Sequence, residues 1–148
     1  MDDSTPRFAA FVGRQSAPLT LDVERGHIRR FCDAVGDPNP IYRDEEAARA
    51  AGHPRIPAPP TFAAALRPND PRAGMDIDWR KLLHGEQELL FDRPLYAGDR
   101  LTLVGRIAAT SVKATKSGAM DVLTLETTAT DGDGARVFRA RSTVLVRR

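Results

Sequence analysis

An α+β fold is predicted, a strongly curved antiparallel sheet wrapped around a central helix, on three observations. The first half of the 148 residues carries helix periodicity, prolines and turn residues, while residues 84–148 read as long strands separated by glycine-containing turns. The last strand alternates cleanly, with Phe138, Ala140, Ser142, Val144 and Val146 on one side and Arg139, Arg141 and Thr143 on the other, so one sheet face needs a cover. The small run Ala63-Ala64-Ala65 lets a helix lie close against that face. A chain of this length buries roughly two-thirds of its unfolded surface. One domain over 1–148 is expected, with residues 1–17 as a partly flexible N-terminal segment.

Each element has its own signal. A helix from about Asp22 to Val35 follows from Ile28, Phe31, Cys32 and Val35 at i, i+3, i+4 and i+7, with Asp22 as N-cap and Gly36 as the stop. Gly36-Asp37-Pro38-Asn39-Pro40-Ile41-Tyr42 cannot be regular, because two prolines and a glycine interrupt it. Asp44 caps a short helix over residues 45–51 that Gly52 ends. Pro57-Ala58-Pro59-Pro60 then opens a buried helix, Thr61 to Leu66, since proline is tolerated in a first turn. Residues 67–80 form a loop with Trp79 as a packing anchor. Strands follow over Glu86 to Arg93, Arg100 to about Lys113, Asp121 to Thr130 and Arg136 to Val146. Ala97-Gly98-Asp99, Lys116-Ser117-Gly118 and Asp131-Gly132-Asp133-Gly134 are the turns between them.

Composition narrows the function. Hydrophobic residues are 41% and charged residues 28%, a globular mixture that excludes disordered and fibrous classes. One cysteine, Cys32, permits no intrachain disulfide and no cysteine zinc knuckle; it reads as a small core residue. An acidic start, and no apolar run of membrane-spanning length, point to a cytoplasmic protein without a membrane partner. A net charge of +2 from 22 basic and 20 acidic residues argues against a nucleic-acid partner. Arg136, Arg139, Arg141, Arg147 and Arg148 form a local stripe with no acid among residues 134–148. It reads first as a solvated strand face, and second as a docking site for acidic groups.

Phosphate-loop, dinucleotide, nucleophile-elbow and paired-histidine signatures are all missing, and no cofactor or metal is called for. Asp131-Gly132-Asp133-Gly134 lacks the spaced carboxylates of a calcium loop and reads as a hairpin turn. The stiff loop with Asp37 and Asn39 is the strongest pointer, because such a loop can hold a carboxylate and an amide in fixed directions. A capped turn satisfying its own backbone is the alternative. His27 and His53 read as surface residues and Tyr96 as a packing group.

Gly36-Asp37-Pro38-Asn39-Pro40-Ile41-Tyr42 resembles the Gly-Asp-x-Asn-Pro-apolar-His motif of MaoC-like (R)-specific enoyl-CoA hydratases and hydroxyacyl dehydratases. Ile56-Pro57-Ala58-Pro59-Pro60-Thr61-Phe62, Leu83-His84-Gly85-Glu86-Gln87 and Arg93-Pro94-Leu95-Tyr96-Ala97-Gly98-Asp99 resemble the MaoC dehydratase N-terminal-domain branch, in the same order. The resemblance implies a hot-dog fold and water addition to, or elimination from, an acyl-CoA or acyl-carrier-protein thioester. It implies Asp37, Asn39 and the residue at 42 as catalytic positions. Pro60, Thr61 and Phe62, at a helix start whose amides stabilise the thioester oxyanion, become substrate-binding positions. His84 joins them as a hydrogen-bonding group, since the accessory branch carries the same His-Gly-Glu-Gln run.

Two positions depart from the pattern. Tyr42 stands where the family has histidine; with a reference pKa near 10, roughly one tyrosine in a thousand is ionised at pH 7. Pro59-Pro60 removes two backbone donors at the helix start, while Thr61 keeps its N–H. Both changes resemble the accessory halves of heteromeric dehydratases, in which a homologous hot-dog chain supplies the Asp and His. A heterodimer with such a chain is therefore the leading expectation. The alternatives are a self-sufficient homodimer using Asp37 with Tyr42 or His84, and a non-catalytic acyl-thioester binder or scaffold.

Overall fold

The computed structural model describes residues 5–116 and 118–148; the acidic start at 1–4, and Ser117 of the second predicted turn, lie outside the described residues. Among the described residues, β1 (Leu19–Asp22), β2 (Leu82–Phe91), β3 (Arg100–Thr115), β4 (Gly118–Thr130) and β5 (Arg136–Arg147) form one sheet in the order β1-β3-β4-β5-β2. Every neighbouring pair is antiparallel. The four strands read from the turns between them, and in the last case from alternation, are present. β1 is an addition: four residues are too few to show a period, and their partners Arg100 to Leu103 lie far along the chain.

One face is covered. Leu101, Leu103 and Ile107 of β3, Leu123 and Ala129 of β4, and Phe138, Val144 and Val146 of β5 are buried there. Full burial of such a side chain is worth about 1.5–3 kcal/mol. Two apolar clusters share that face. One gathers Ile28, Cys32, Phe62, Ala63 and Leu95 over Leu101, Leu103 and Phe138. The other sets Phe8, Met75 and Ile77 over Ile107, Leu123, Val144 and Val146.

The covering elements correct the sequence expectations in detail. The first helix, α1 (Arg25–Val35), begins after Asp22, because Asp22 is the last residue of β1 and pairs with Arg100. Ile28 and Cys32 are buried as expected, but Val35, on the last residue of the helix, is 57% exposed. The second helix, α2 (Glu45–Ala50), is capped by Asp44, whose carboxylate accepts from the Ala47 N–H at 2.8 Å. The expected buried α-helix after Pro60 is a 3-10 segment, Pro60–Ala65, with Phe62 and Ala63 buried and Ala64 and Ala65 exposed. Pro57, Pro59 and Pro60 carry no N–H, and Pro68 disfavours helix at Arg67, so only the tighter turn fits between them.

The 67–80 stretch crosses the covered face rather than hanging from it. A Cβ at Gly105 would sit 3.1 Å from both Pro68 Cγ and Pro71 Cδ, so the missing side chain is what lets this loop approach β3. Trp79 is not the anchor expected: it is 54% exposed, with the Arg72 guanidinium 4.8 Å above its ring. Asp131 Oδ1 accepts from the Asp133 and Ala135 N–H groups, which confirms the last turn as a hairpin loop. The arginine stripe is largely paired across strands: Arg136 forks onto Asp92, and Arg148 reaches the buried Asp121.

Candidate functional site

The polar loop is built by the end of α1. Gly36 takes φ 72° and the Asp37 N–H bonds back to the Cys32 carbonyl at 2.9 Å, a left-handed cap that reverses the chain. Asp37 Oδ1 then accepts from the Asn39 N–H at 3.0 Å, and Asn39 Oδ1 accepts from the Ile41 N–H at 3.2 Å. Two side-chain-to-backbone turns follow one another. Arg43 locks them from outside, donating to the Asp37 carbonyl at 3.0 Å and pairing with Asp33 at 2.7 Å. Pro40, Ile41 and Tyr42 complete a 3-10 turn that Asn39 caps.

This geometry brings Asp37, Asn39 and Tyr42 into one rigid turn. Asp37 is half-buried, and its Oδ2 makes no hydrogen bond among the described residues, so it is the acceptor the turn has to offer. Tyr42 packs against the cluster that holds Cys32 and Phe62. Burial, the Asp37 carboxylate and then the Cys32 sulfur all push its phenol above the ordinary tyrosine value. A phenol so placed keeps its proton near neutrality. The Cys32 thiol is likewise raised, first by burial and then by Asp37.

The substrate-side residues divide. Phe62 is fully buried and meets Phe31 and His27 edge-on, with ring centroids 5.5 and 4.8 Å away. Its side chain therefore joins the 3-10 segment to α1. His27, expected at the surface, is half-buried through that contact. His53 is also half-buried, with its ring beside that of Tyr96. Pro60 and Thr61 are exposed, and the Thr61 N–H makes no hydrogen bond among the described residues, whereas the Phe62 N–H is spent on the Pro59 carbonyl at 2.9 Å. A single donor is thus available where a regular helix start offers several.

His84 lies elsewhere. It faces Val144 across the β2–β5 ladder and lines a cleft of about 200 Å³ on the covered face, together with Ala63, Ala64, Gln87 and Ser142. Asp37, Asn39 and Tyr42 do not line it. Arg67 and Arg72 at its rim escaped the sequence reading; the prolines at 68 and 71 opposite Gly105 were the available signal.

A family model described as "FAS1-like, dehydratase domain region" matches residues 10–140. A UPF0336 protein of Saccharopolyspora erythraea is 38% identical over 96% of this chain and 92% of its own length. Among solved structures, the C-terminally truncated HadBC (3R-hydroxyacyl-ACP dehydratase) complex from Mycobacterium tuberculosis superposes with a TM-score of 0.75 at 27% identity, covering 91% of this chain and 96% of that one. A MaoC-like dehydratase superposes with a TM-score of 0.80 at 27% identity, covering 95% of this chain but 43% of that one.

Proposed function

This chain belongs to the FAS1-like dehydratase-region family, with the MaoC-like hot-dog fold, and from that footing we propose that it is the accessory subunit of an (R)-specific 2-enoyl-thioester hydratase or 3-hydroxyacyl-thioester dehydratase. Its partner is a second hot-dog chain that carries the catalytic aspartate and histidine. The thioester is borne on coenzyme A or on acyl carrier protein, and the complex is a hydro-lyase. The similarity to the HadBC complex supports a paired assembly.

One observation carries the reading: the group at position 42 is a phenol whose proton is held more tightly than usual. Hydration places water's oxygen on C3 of the enoyl thioester and a proton on C2. Some group must take a proton from the water as the C–O bond forms, and such positioned proton transfer is worth about 10²–10⁴-fold. Tyr42 cannot take it at neutral pH. It can donate a hydrogen bond, Asp37 Oδ2 can accept one, and the Thr61 N–H can contact a carbonyl oxygen. That set holds a thioester without transforming it.

The test is the assembly as it occurs in the cell. Purified through a tag on this chain, the complex is expected to contain a second hot-dog chain, identified by mass, and to hydrate a 2-enoyl-CoA with loss of its ultraviolet absorbance. Recovery of this chain alone, carrying that activity, contradicts the reading.

A further inference from the structure

The cleft that His84 lines lies between the sheet and the loop that crosses it. Part of its lining is small or apolar: Ala140 and Val144 of β5, Leu125 of β4, and Ala63 and Ala64 of the 3-10 segment. The rest is polar. A bulge in β2 puts His84 and Gln87, three residues apart, on the same face, opposite Val144 and Ser142. Ser142 and Thr127 present hydroxyls and His84 its ring, and none of these three side chains makes a hydrogen bond among the described residues.

The charges around the cleft leave one cation over. Asp70 accepts from Arg72 Nε at 2.9 Å and Nη2 at 3.0 Å, so that pair cancels. Glu126 is paired with Arg106 at 2.8 Å. Arg67 also lines the cleft, and it has no ion pair or hydrogen bond among the described residues. Its loop is held on both sides. Leu66 and Pro71 are buried, the Asn69 amide donates to the Ala17 carbonyl at 3.0 Å, and Pro68 and Pro71 close on Gly105. A guanidinium on a fixed loop, beside free hydroxyls, suits a carboxylate, which it can grip through two parallel hydrogen bonds. An alkyl end suits the cleft badly. It would strip water from two hydroxyls and an imidazole and return no hydrogen bond.

We propose that this cleft takes the far end of the acyl group and that this end carries a carboxylate, so that the substrate is a dicarboxylic thioester. This rests on the thioester reading above and names the substrate within it. The 3-10 segment connects the two ends. Thr61, whose N–H can contact the thioester carbonyl, stands two and three residues before Ala63 and Ala64 on the cleft, about 4–6 Å along such a turn. At about 200 Å³ the cleft is smaller than the roughly 300–1,000 Å³ of a site that encloses a whole drug-sized ligand, so a short chain end is what it fits. Methylenes lie against Ala140, Val144 and Leu125, while the carboxylate pairs with Arg67 and accepts from Ser142 and Thr127.

Adipoyl-CoA and hexanoyl-CoA are the probes, because they have equal chain length and, being saturated, undergo no hydration. Binding of each is measured by calorimetry on the assembly purified through a tag on this chain. Adipoyl-CoA is expected to bind at least about tenfold more tightly. Arg67→Met is expected to erase that preference while leaving the hexanoyl-CoA affinity and the melting temperature unchanged, since Arg67 is exposed. Equal affinities overturn the proposal. So does a preference that survives Arg67→Met, and so does the failure of both thioesters to bind. None of these results uses turnover or the identity of a partner. An active complex without the preference leaves the accessory reading standing, and a lone active chain that shows the preference removes that reading alone.

Discussion

Burial and a neighbouring carboxylate both penalise a phenolate at Tyr42, and nothing in the 37–42 turn compensates, because the Arg43 guanidinium is engaged with Asp33 and the Asp37 carbonyl. Of the two tyrosines in the chain, Tyr42 is therefore expected to ionise above the ordinary value near 10. In an alkaline ultraviolet titration a component titrating above that value should vanish on Tyr42→Phe. A component titrating below 10 that vanishes instead would restore Tyr42 as a candidate base. That Asp37 and Asn39 share one stiff turn was legible in the sequence, because two prolines and a glycine fix the loop; Tyr42 was singled out only by the family resemblance. Their chemistry was only half legible. The free Oδ2 of Asp37 depends on which oxygen the Asn39 N–H takes, and no spacing encodes that. His27 and Val35 were misplaced for a related reason: periodicity assigns a helix face, but it does not say what lies beneath each turn.

At the scale of elements, the strands were readable from the turn residues between them and, in β5, from alternation, and the prolines around residue 60 were readable as a boundary but not as a 3-10 segment. The β2 bulge was invisible to patterning, although Gly85 was its trace. A Cβ there would lie 3.0 Å from Leu145 Cδ1 and 3.1 Å from the Thr143 carbonyl oxygen, which is backbone and cannot step aside. Gly85→Ala should therefore cost about 1–3 kcal/mol in urea unfolding, the range for overpacking a filled site. Amide exchange should accelerate along residues 82–91. Unchanged stability with unchanged exchange would mean that β2 shifts freely on β5, and the fixed placement of His84 and Gln87 would then be lost as an explanation.

On the scale of the whole molecule, Arg7 and Arg148, far apart in sequence, are tied to the sheet by one buried acid. Asp121, fully buried in β4, accepts from the Arg7 side chain and backbone and from Arg148, which also reaches the Thr5 carbonyl. Burial pushes its carboxyl up, but the Arg148 and Arg7 hydrogen bonds outweigh that and hold it below the usual range. A folded-state pKa below the unfolded value of about 3.9 means stability that is present above that pH and is lost as pH falls through the folded value. Asp121→Asn should cost about 2 kcal/mol, or about 4–8 °C in melting temperature, at pH 7. It should also flatten the acid limb of the melting-temperature profile below about pH 5. Equal acid limbs in the two proteins would remove Asp121 from the account.

These scales meet in one requirement, that a half-site with a protonated phenol in place of a base waits on another subunit. The direct measurement is the turnover of a 2-enoyl-CoA by this chain alone, purified free of any other hot-dog protein, against the same concentration of the assembled complex. The account predicts a kcat at least about 100-fold lower for the lone chain, the deficit of a missing general base. Comparable turnover by the lone chain, abolished by Asp37→Asn, would contradict it.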